Sequence, residues 1–388
     1  MSTVKVMGWT LGPVRILSNR AFLLRRLRLP ARQLTRPFSV CRSGAQKVIT
    51  THSGSFHADE SLAISMLRLI PEYADAGVLG RTLSSYHLQV VIRDALEIVR
   101  SRDPAVIAKA DIVVDVGGEY IPDQFRFDHH QRGFTETFGP QYDIKLSSAG
   151  LVYKHFGRQV VAQVLGWEVT DPKLAVVYQK VYDDFVLAFD GIDNGVSQYP
   201  SDVKPKYRDS TNASSRVAKL NPWWNEKNVD YQERFLKAVA MVGAEFVERV
   251  RYIGLSWLPG RELVEQALEE RVEVSSTGHI LILNNFCPWK EHLHILEEEK
   301  KIPDEKRPIY VLYEDETAKQ WRVQAVPVTP DSFQSRKPLP EPWRGIRDQA
   351  LSDLTGIPGC VFIHASGFIG GNQTKDGAIA MAQKALTL

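Results

Sequence analysis

Apolar positions along the chain follow two periods, and each change of period marks a new element. KVITT (Lys47 to Thr51) is a short β-branched run of the kind that forms a buried strand. It stops at the polar, glycine-bearing stretch His52-Ser53-Gly54-Ser55. HADESLAISMLRLI follows, with Leu62, Ala63, Met66, Leu67 and Ile70 at the spacing of an amphipathic helix and Pro71 to end it. EIVRSR (Glu97 to Arg102) and Ile112 to Val116 predict two more strands, separated by a turn at Asp103-Pro104, and RFDHH closes a further short one. Strands alternating with helical patterns imply an α/β fold around a parallel sheet.

From Ser147 the pattern turns helical through SSAGLVYKHFGRQVVAQVLG and LAVVYQKVYDDFVLAFDGID, which ends at Asn194-Gly195. Residues 228–271 are charged and helical and predict a connecting segment. Near Arg271 the strand-like runs RVEVSS, HILILNN, PIYVLY and WRVQAV begin, so the remainder predicts a smaller α+β domain. In its tail, VFIH leads through Gly367, Gly370 and Gly371 into a helix, a context suited to anion binding by backbone amides. Arg336, Arg344 and Arg347 precede it and offer bidentate phosphate contacts. Residues 77–96 have mixed character and predict no chemistry.

Charge divides the chain unevenly. Residues 1–46 hold nine Lys/Arg and no acid, and the first carboxylate of all is Asp59. AFLLRRLRLPARQLTRPFSV mixes Leu, Arg and Ser, the composition of a mitochondrial transit peptide. Without that leader the chain keeps 39 of its 48 bases against 46 acids, so its overall field does not favour nucleic acid. Any phosphate-bearing substrate must then be held by metal ions and a few local bases. Three scattered cysteines argue against a disulfide framework, and no apolar run is long enough for a transmembrane helix.

The chemistry-bearing residues gather at strand ends. His52 follows KVITT, Asp115 closes DIVVD, and Asp128-His129-His130 closes RFDHH; in an open parallel sheet all three ends share one edge. His57 and Asp59 stand in the next turn, and Asp190 and Asp193, three apart, share a helical face near a C-terminus, where a cation compensates the dipole. His52, His57, Asp59, Asp115, His129 and one of Asp190 or Asp193 match in number and type what two divalent ions about 4 Å apart require, with Asp115 as the bridge. Mixed imidazole and carboxylate ligation suits Mn²⁺ better than Mg²⁺, with Zn²⁺ as an alternative. A water acidified by the metal would attack, His130 would contact the scissile phosphate, and Asp128 would orient an imidazole. His292 and His294, two apart in a helix start, do not share a face and predict no metal site.

At these residues the chain resembles the DHH phosphoesterase superfamily. THSGSFHADE, DIVVDVGGEY, FRFDHHQRGFTETF, KLSSAGLVY, FVLAFDGIDNG, RVAKLNPWWN, PWKEHL, PLPEPWRGIRD and GIPGCVFIHASGFIGG are similar to the melanocyte proliferating gene 1 protein family, from residue 47 to the end. The resemblance implies a metal-dependent 3′–5′ RNA exonuclease of mitochondria with a nuclear or nucleolar pool. With the leader read from its composition as a transit peptide over 1–46, the domains expected are a parallel-sheet DHH-type catalytic domain over 47–270 and a C-terminal substrate-binding domain over 271–388. His57 and Asp59 match the first superfamily motif, Asp115 the second, Asp128-His129-His130 the third and the Asp190/Asp193 region the fourth. His57 stands where the superfamily commonly carries Asp. Gly370-Gly371-Asn372 replaces a common Gly-Gly-His, which leaves His364 as the imidazole near substrate. Residues 77–96 are an insertion relative to similar proteins. Two rival functions remain: a phosphoesterase for pyrophosphate or dinucleotides, and a non-catalytic RNA-binding module.

Overall fold

The computed structural model describes residues 47–70, 73, 96–200 and 202–388. The expected leader and almost all of the 77–96 insertion lie outside the described residues. The fold is mixed α/β with two five-stranded sheets, and the described chain forms two compact units, 47–259 and 260–388.

In the first unit β1 (Lys47–Thr51) runs into α1 (Ala58–Leu67), then come β2 (Leu96–Arg100), α2 (Pro104–Ile107), β3 (Ile112–Val114), β4 (Tyr120–Ile121) and β5 (Arg126–Phe127). The sheet order is β2-β1-β3-β5-β4, parallel except for the antiparallel edge strand β4. β1, β3 and β5 are therefore adjacent and parallel, so the residues that follow them leave one edge side by side. This is the arrangement expected of His52, Asp115 and Asp128.

Helices α3 (Ser148–Leu165), α4 (Pro172–Val181), α5 (Leu187–Asp193), α6 (Ala213–Ala218) and α7 (Tyr231–Tyr252) complete the unit. Wider π turns at Tyr182–Val186 and Ile253–Trp257 carry α4 into α5 and α7 into α8 (Leu258–Val274) without a break. The expectation of an amphipathic α1 is corrected: all ten of its residues are buried. It packs against both α3 and α7, so it has no solvent face on which polar residues could sit. Fully buried Leu62, Ile64, Met66 and Leu67 each contribute about 1.5–3 kcal/mol to this core. Burying Asp59 and Glu60 beside them opposes folding unless something compensates.

The second unit contains β6 (Ile280–Ile282), α9 (Trp289–Glu299), β7 (Tyr310–Glu314), β8 (Trp321–Ala325), α10 (Asp348–Thr355), β9 (Cys360–Ile363), β10 (Ile369–Asn372) and α11 (Lys375–Thr387). Its sheet runs β6-β7-β8-β10-β9. Alternate strand residues serve two cores. Ile280, Tyr310 and Leu312 face α10 and α11, whereas Leu281, Val311 and Tyr313 face α8 and α9. Two expectations fail here. RVEVSS is no strand, because Arg271–Val274 extends α8, into which the preceding helical turns propagate. Gly370 and Gly371 are not in a loop before a helix: they are buried residues of β10, paired with β8 and β9, and α11 is capped instead by Thr374. Cys287 and Cys360 are buried free thiols. Among the described residues no helix is long and apolar enough to cross a membrane.

Candidate metal centre

Asp115 stands at the middle of the sheet edge. It takes a φ of +57°, a left-handed conformation that Asp tolerates better than most residues, and Gly117 and Gly118 continue the turn at positive φ. The sharp exit from β3 aims its carboxylate in two directions. Oδ2 lies 3.4 Å from Nε2 of His52, while Oδ1 lies 3.3 Å from Nδ1 of His130 and 3.7 Å from Nε2 of His129. Ser148 Oγ also donates to Oδ1 at 3.3 Å from the first turn of α3, whose dipole favours the anion.

Asp128 shapes the turn after β5. Its Oδ2 accepts from Gly118 N at 2.6 Å, and its Oδ1 accepts from His130 N at 3.0 Å and lies 2.8 Å from His130 Nδ1. The His130 ring is thereby oriented, although its side chain is 63% exposed. Hydrogen bonding to Asp115 raises the His130 pKa to about 9 against the opposing effect of burial, with Asp128 adding to the rise.

At the start of α1, Glu60 Oε1 accepts from His57 N at 2.7 Å and lies 3.1 Å from His52 Nε2. Burial works against a charged His52, but Asp115 and Glu60 overcome it and hold the imidazole up to about 10. Burial likewise works to raise Asp115, and the contacts with His130 and His52 overcome it and leave the carboxyl below its ordinary range. Asp59 goes the other way: burial, then the charges of Asp115, Glu60 and Asp193, push its pKa well up.

Three overlapping groups of ligand atoms result, each with its atoms within 4.8 Å of one another: His52, His57, Glu60 and Asp115; Asp115, His129 and His130; His57, Asp59 and Asp193. These residues fit divalent ions. Neither oxygen of Asp59 has a hydrogen-bond partner among the described residues, nor has Oε2 of Glu60 or Nε2 of His129. The last lies 3.0 Å from Asp193 Oδ2, but the two atoms lack hydrogen-bond geometry. Buried acceptors converging without donors are costly until a cation meets them.

His52, His57, Asp59, Asp115, His129, His130 and Asp193 thus converge, with Asp128 behind them. Asp190 does not. It is fully buried, accepts from Ser147 N at 2.9 Å, Ser147 Oγ at 2.7 Å and Tyr182 Oη at 2.8 Å, and so ties α5 to α3. The three-residue step turns Asp193 out of that contact and toward His129, so of the two acids, one of which was expected among the ligands, it is Asp193 that joins the cluster. Glu60 is the residue the spacing argument missed. Its signal was present as the acid three residues after His57, the position of a capping box.

The phosphate-binding candidates of the second unit separate as well. Arg336 is committed internally: its Nη1 and Nη2 donate to Glu297 at 2.7 and 2.6 Å and Nη1 donates to Pro308 O at 2.9 Å. Arg344 Nε donates to Leu339 O at 2.9 Å. Arg347 is exposed, with its guanidinium 5.7 Å from the Phe362 ring centre, and His364 is exposed beside Ser366 and Phe368.

A sheet edge of this topology carrying clustered carboxylates and imidazoles defines a mixed α/β protein with a centre able to hold divalent ions. The family model MYG1_exonuc, "Uncharacterised protein family (UPF0160)", matches residues 48–386, and the chain belongs to that family. It is 50% identical to "MYG1 protein" of Dictyostelium discoideum, over 87% of this chain and 96% of that protein. It is 50% identical to "MYG1 exonuclease" of Mus musculus, over 87% of this chain and 84% of that protein. With "MYG1 exonuclease" of Homo sapiens it shares 48% identity, over 87% and 85% of the two chains. No solved structure matches the chain.

Proposed function

We propose that this chain is a metal-dependent exonuclease of the DHH type that hydrolyses terminal phosphodiester bonds of RNA, in the 3′–5′ direction, with Mn²⁺ as its metal. The observation that carries the proposal is the Asp115 carboxylate, whose two oxygens are divided between His52 on one side and His129 and His130 on the other. Relatives named MYG1 exonuclease, about half identical over most of the chain, support the nuclease assignment.

His52, His57, Asp59, Glu60, Asp115, His129 and Asp193 would hold the ions. When bound, such ions acidify water and neutralise the charge that develops on a phosphoryl group. His130, oriented by Asp128 and open to solvent, is suited to donate to a phosphate oxygen. Of the basic residues read as phosphate contacts in the second unit, Arg347 and His364 are exposed. The acid-free leader supports a mitochondrial location, with a nuclear or nucleolar pool as the resemblance implies.

The test is Asp115→Asn, which keeps a residue tolerant of the left-handed backbone. Mn²⁺-dependent release of 5′-mononucleotides from a short RNA should fall more than about 100-fold, with circular dichroism unchanged. Undiminished turnover would overturn the proposal. RNA labelled at its 5′ end reports direction, because that label persists until the last step of 3′–5′ digestion.

A small-substrate phosphoesterase is the second reading, favoured by the excess of acids after residue 46. A dinucleotide hydrolysed far faster than a long RNA would select it.

A further inference from the structure

Beyond the metal centre, the most unusual surface of the first unit is a pair of adjacent tryptophans. Trp223 is 69% exposed and Trp224 96% exposed, although these are the side chains with the most to gain from burial. They do not sit on a loose segment. Asn221 accepts from Phe56 N at 2.9 Å and donates from Nδ2 to Phe56 O at 2.8 Å, so the turn is clamped to the residue before His57. Trp223 N donates to Glu226 Oε2 at 2.7 Å, and Arg234 holds the other oxygen of Glu226 at 2.8 Å.

Exposed bases outnumber acids in the neighbouring stretch 202–209, with Lys204, Lys206 and Arg208 against Asp202 and Asp209. Lys204, Lys206, Arg208 and Lys227 are exposed and make no ion pair among the described residues. The stretch bearing the first three is drawn back to the base of the turn, where Lys219 Nζ donates to Ser210 O at 2.7 Å. Tyr207, in the same stretch, is 81% exposed. A protein partner would cover such aromatics without needing a row of unpaired cations.

We infer that Trp223 and Trp224 form a stacking platform for the bases of a single-stranded nucleic acid, whose phosphates are met by Lys204, Lys206 and Arg208. The inference rests on the phosphodiesterase proposal and adds where the strand is gripped beside the centre. Stacking on an aromatic face tolerates every base, which suits an enzyme that must advance through any sequence.

The test uses the full chain and a fluorescent, phosphorothioate-linked single-stranded oligonucleotide with Mn²⁺ present. Trp223→Ala/Trp224→Ala should weaken binding roughly tenfold or more, Trp223→Phe/Trp224→Phe should restore most of it, and Trp223→Leu/Trp224→Leu should not. Hydrolysis of bis-p-nitrophenyl phosphate, too small to span centre and platform, should stay at the unsubstituted level in all three. Binding by the Ala variant within about twofold of the parent chain, or full rescue by Leu, overturns the platform. Loss of binding to phosphatidylserine vesicles with oligonucleotide binding intact would instead assign the tryptophans to a lipid surface. If the parent chain hydrolyses neither bis-p-nitrophenyl phosphate nor a short RNA, the phosphodiesterase proposal fails on its own, and the oligonucleotide comparison still decides the platform.

Discussion

Oδ2 of Asp193 lies 3.0 Å from Nε2 of His129, which joins the end of α5 to the turn after β5. The two atoms are not hydrogen-bonded, yet both belong to groups of ligand atoms that converge at the same sheet edge. Asp193→Ala should therefore lower Mn²⁺ affinity at least about tenfold by titration calorimetry. Stability in chelator should stay within about 0.5 kcal/mol of the parent, because no internal hydrogen bond is lost. Unchanged affinity would remove Asp193 from the centre.

Asp59→Asn separates stability from metal binding in the opposite sense. The buried Asp59 carboxylate has no hydrogen-bond partner for either oxygen among the described residues and sits among the charges of Asp115, Glu60 and Asp193. The substitution should raise the metal-free Tm and abolish the further rise that Mn²⁺ produces in the parent chain. At about 100 times Kd that rise is worth about 2.7 kcal/mol. A metal-free Tm that drops would mean the carboxylate is compensated inside the protein.

Gly150 tests the packing of α3 on α5. A Cβ there would clash with both carboxylate oxygens of Asp190, against a side chain held by Ser147 and Tyr182. Gly150→Ala should destabilise by about 1–3 kcal/mol in urea unfolding. Combined with Asp190→Ala, which vacates that space, it should cost much less than the two single losses together. Additive losses would show that the clash is absorbed elsewhere.

Asp190 also makes stability depend on pH. Burial pushes its carboxyl up to about 7 despite hydrogen bonds from Ser147 and Tyr182. A group whose folded pKa lies above its unfolded value stabilises below the unfolded pKa and loses that contribution as pH rises through the folded one. Between about pH 4 and 7 the parent chain should thus lose on the order of a few kcal/mol from this residue, and Asp190→Asn should lack that slope. Parallel Tm–pH curves for the two proteins would contradict the assignment.

Much of the first unit was legible in local pattern. Strand runs such as KVITT and DIVVD state their burial through β-branched residues, and each ends at a polar residue able to bind a cation. The second unit was less so: RVEV alternates like a strand, yet it ends a long helix, where propagation from preceding turns outweighs a short alternating pattern. Gly370 and Gly371 misled for a related reason, since glycine marks a loop and a tight place in a strand equally well. At Gly371 the tight place is concrete: a Cβ would come within 2.9 Å of Arg322.

The order of residues along the chain was sufficient to specify that β1, β3 and β5 lead into His52, Asp115 and Asp128-His129-His130, because period and residue type are local properties. It did not distinguish Asp193 from Asp190, reveal Glu60 as a neighbour of His52, or withdraw Arg336 into its pair with Glu297. Those outcomes depend on contacts between distant segments. Side-chain direction there is set by which helix packs on which strand, and no local pattern carries that information.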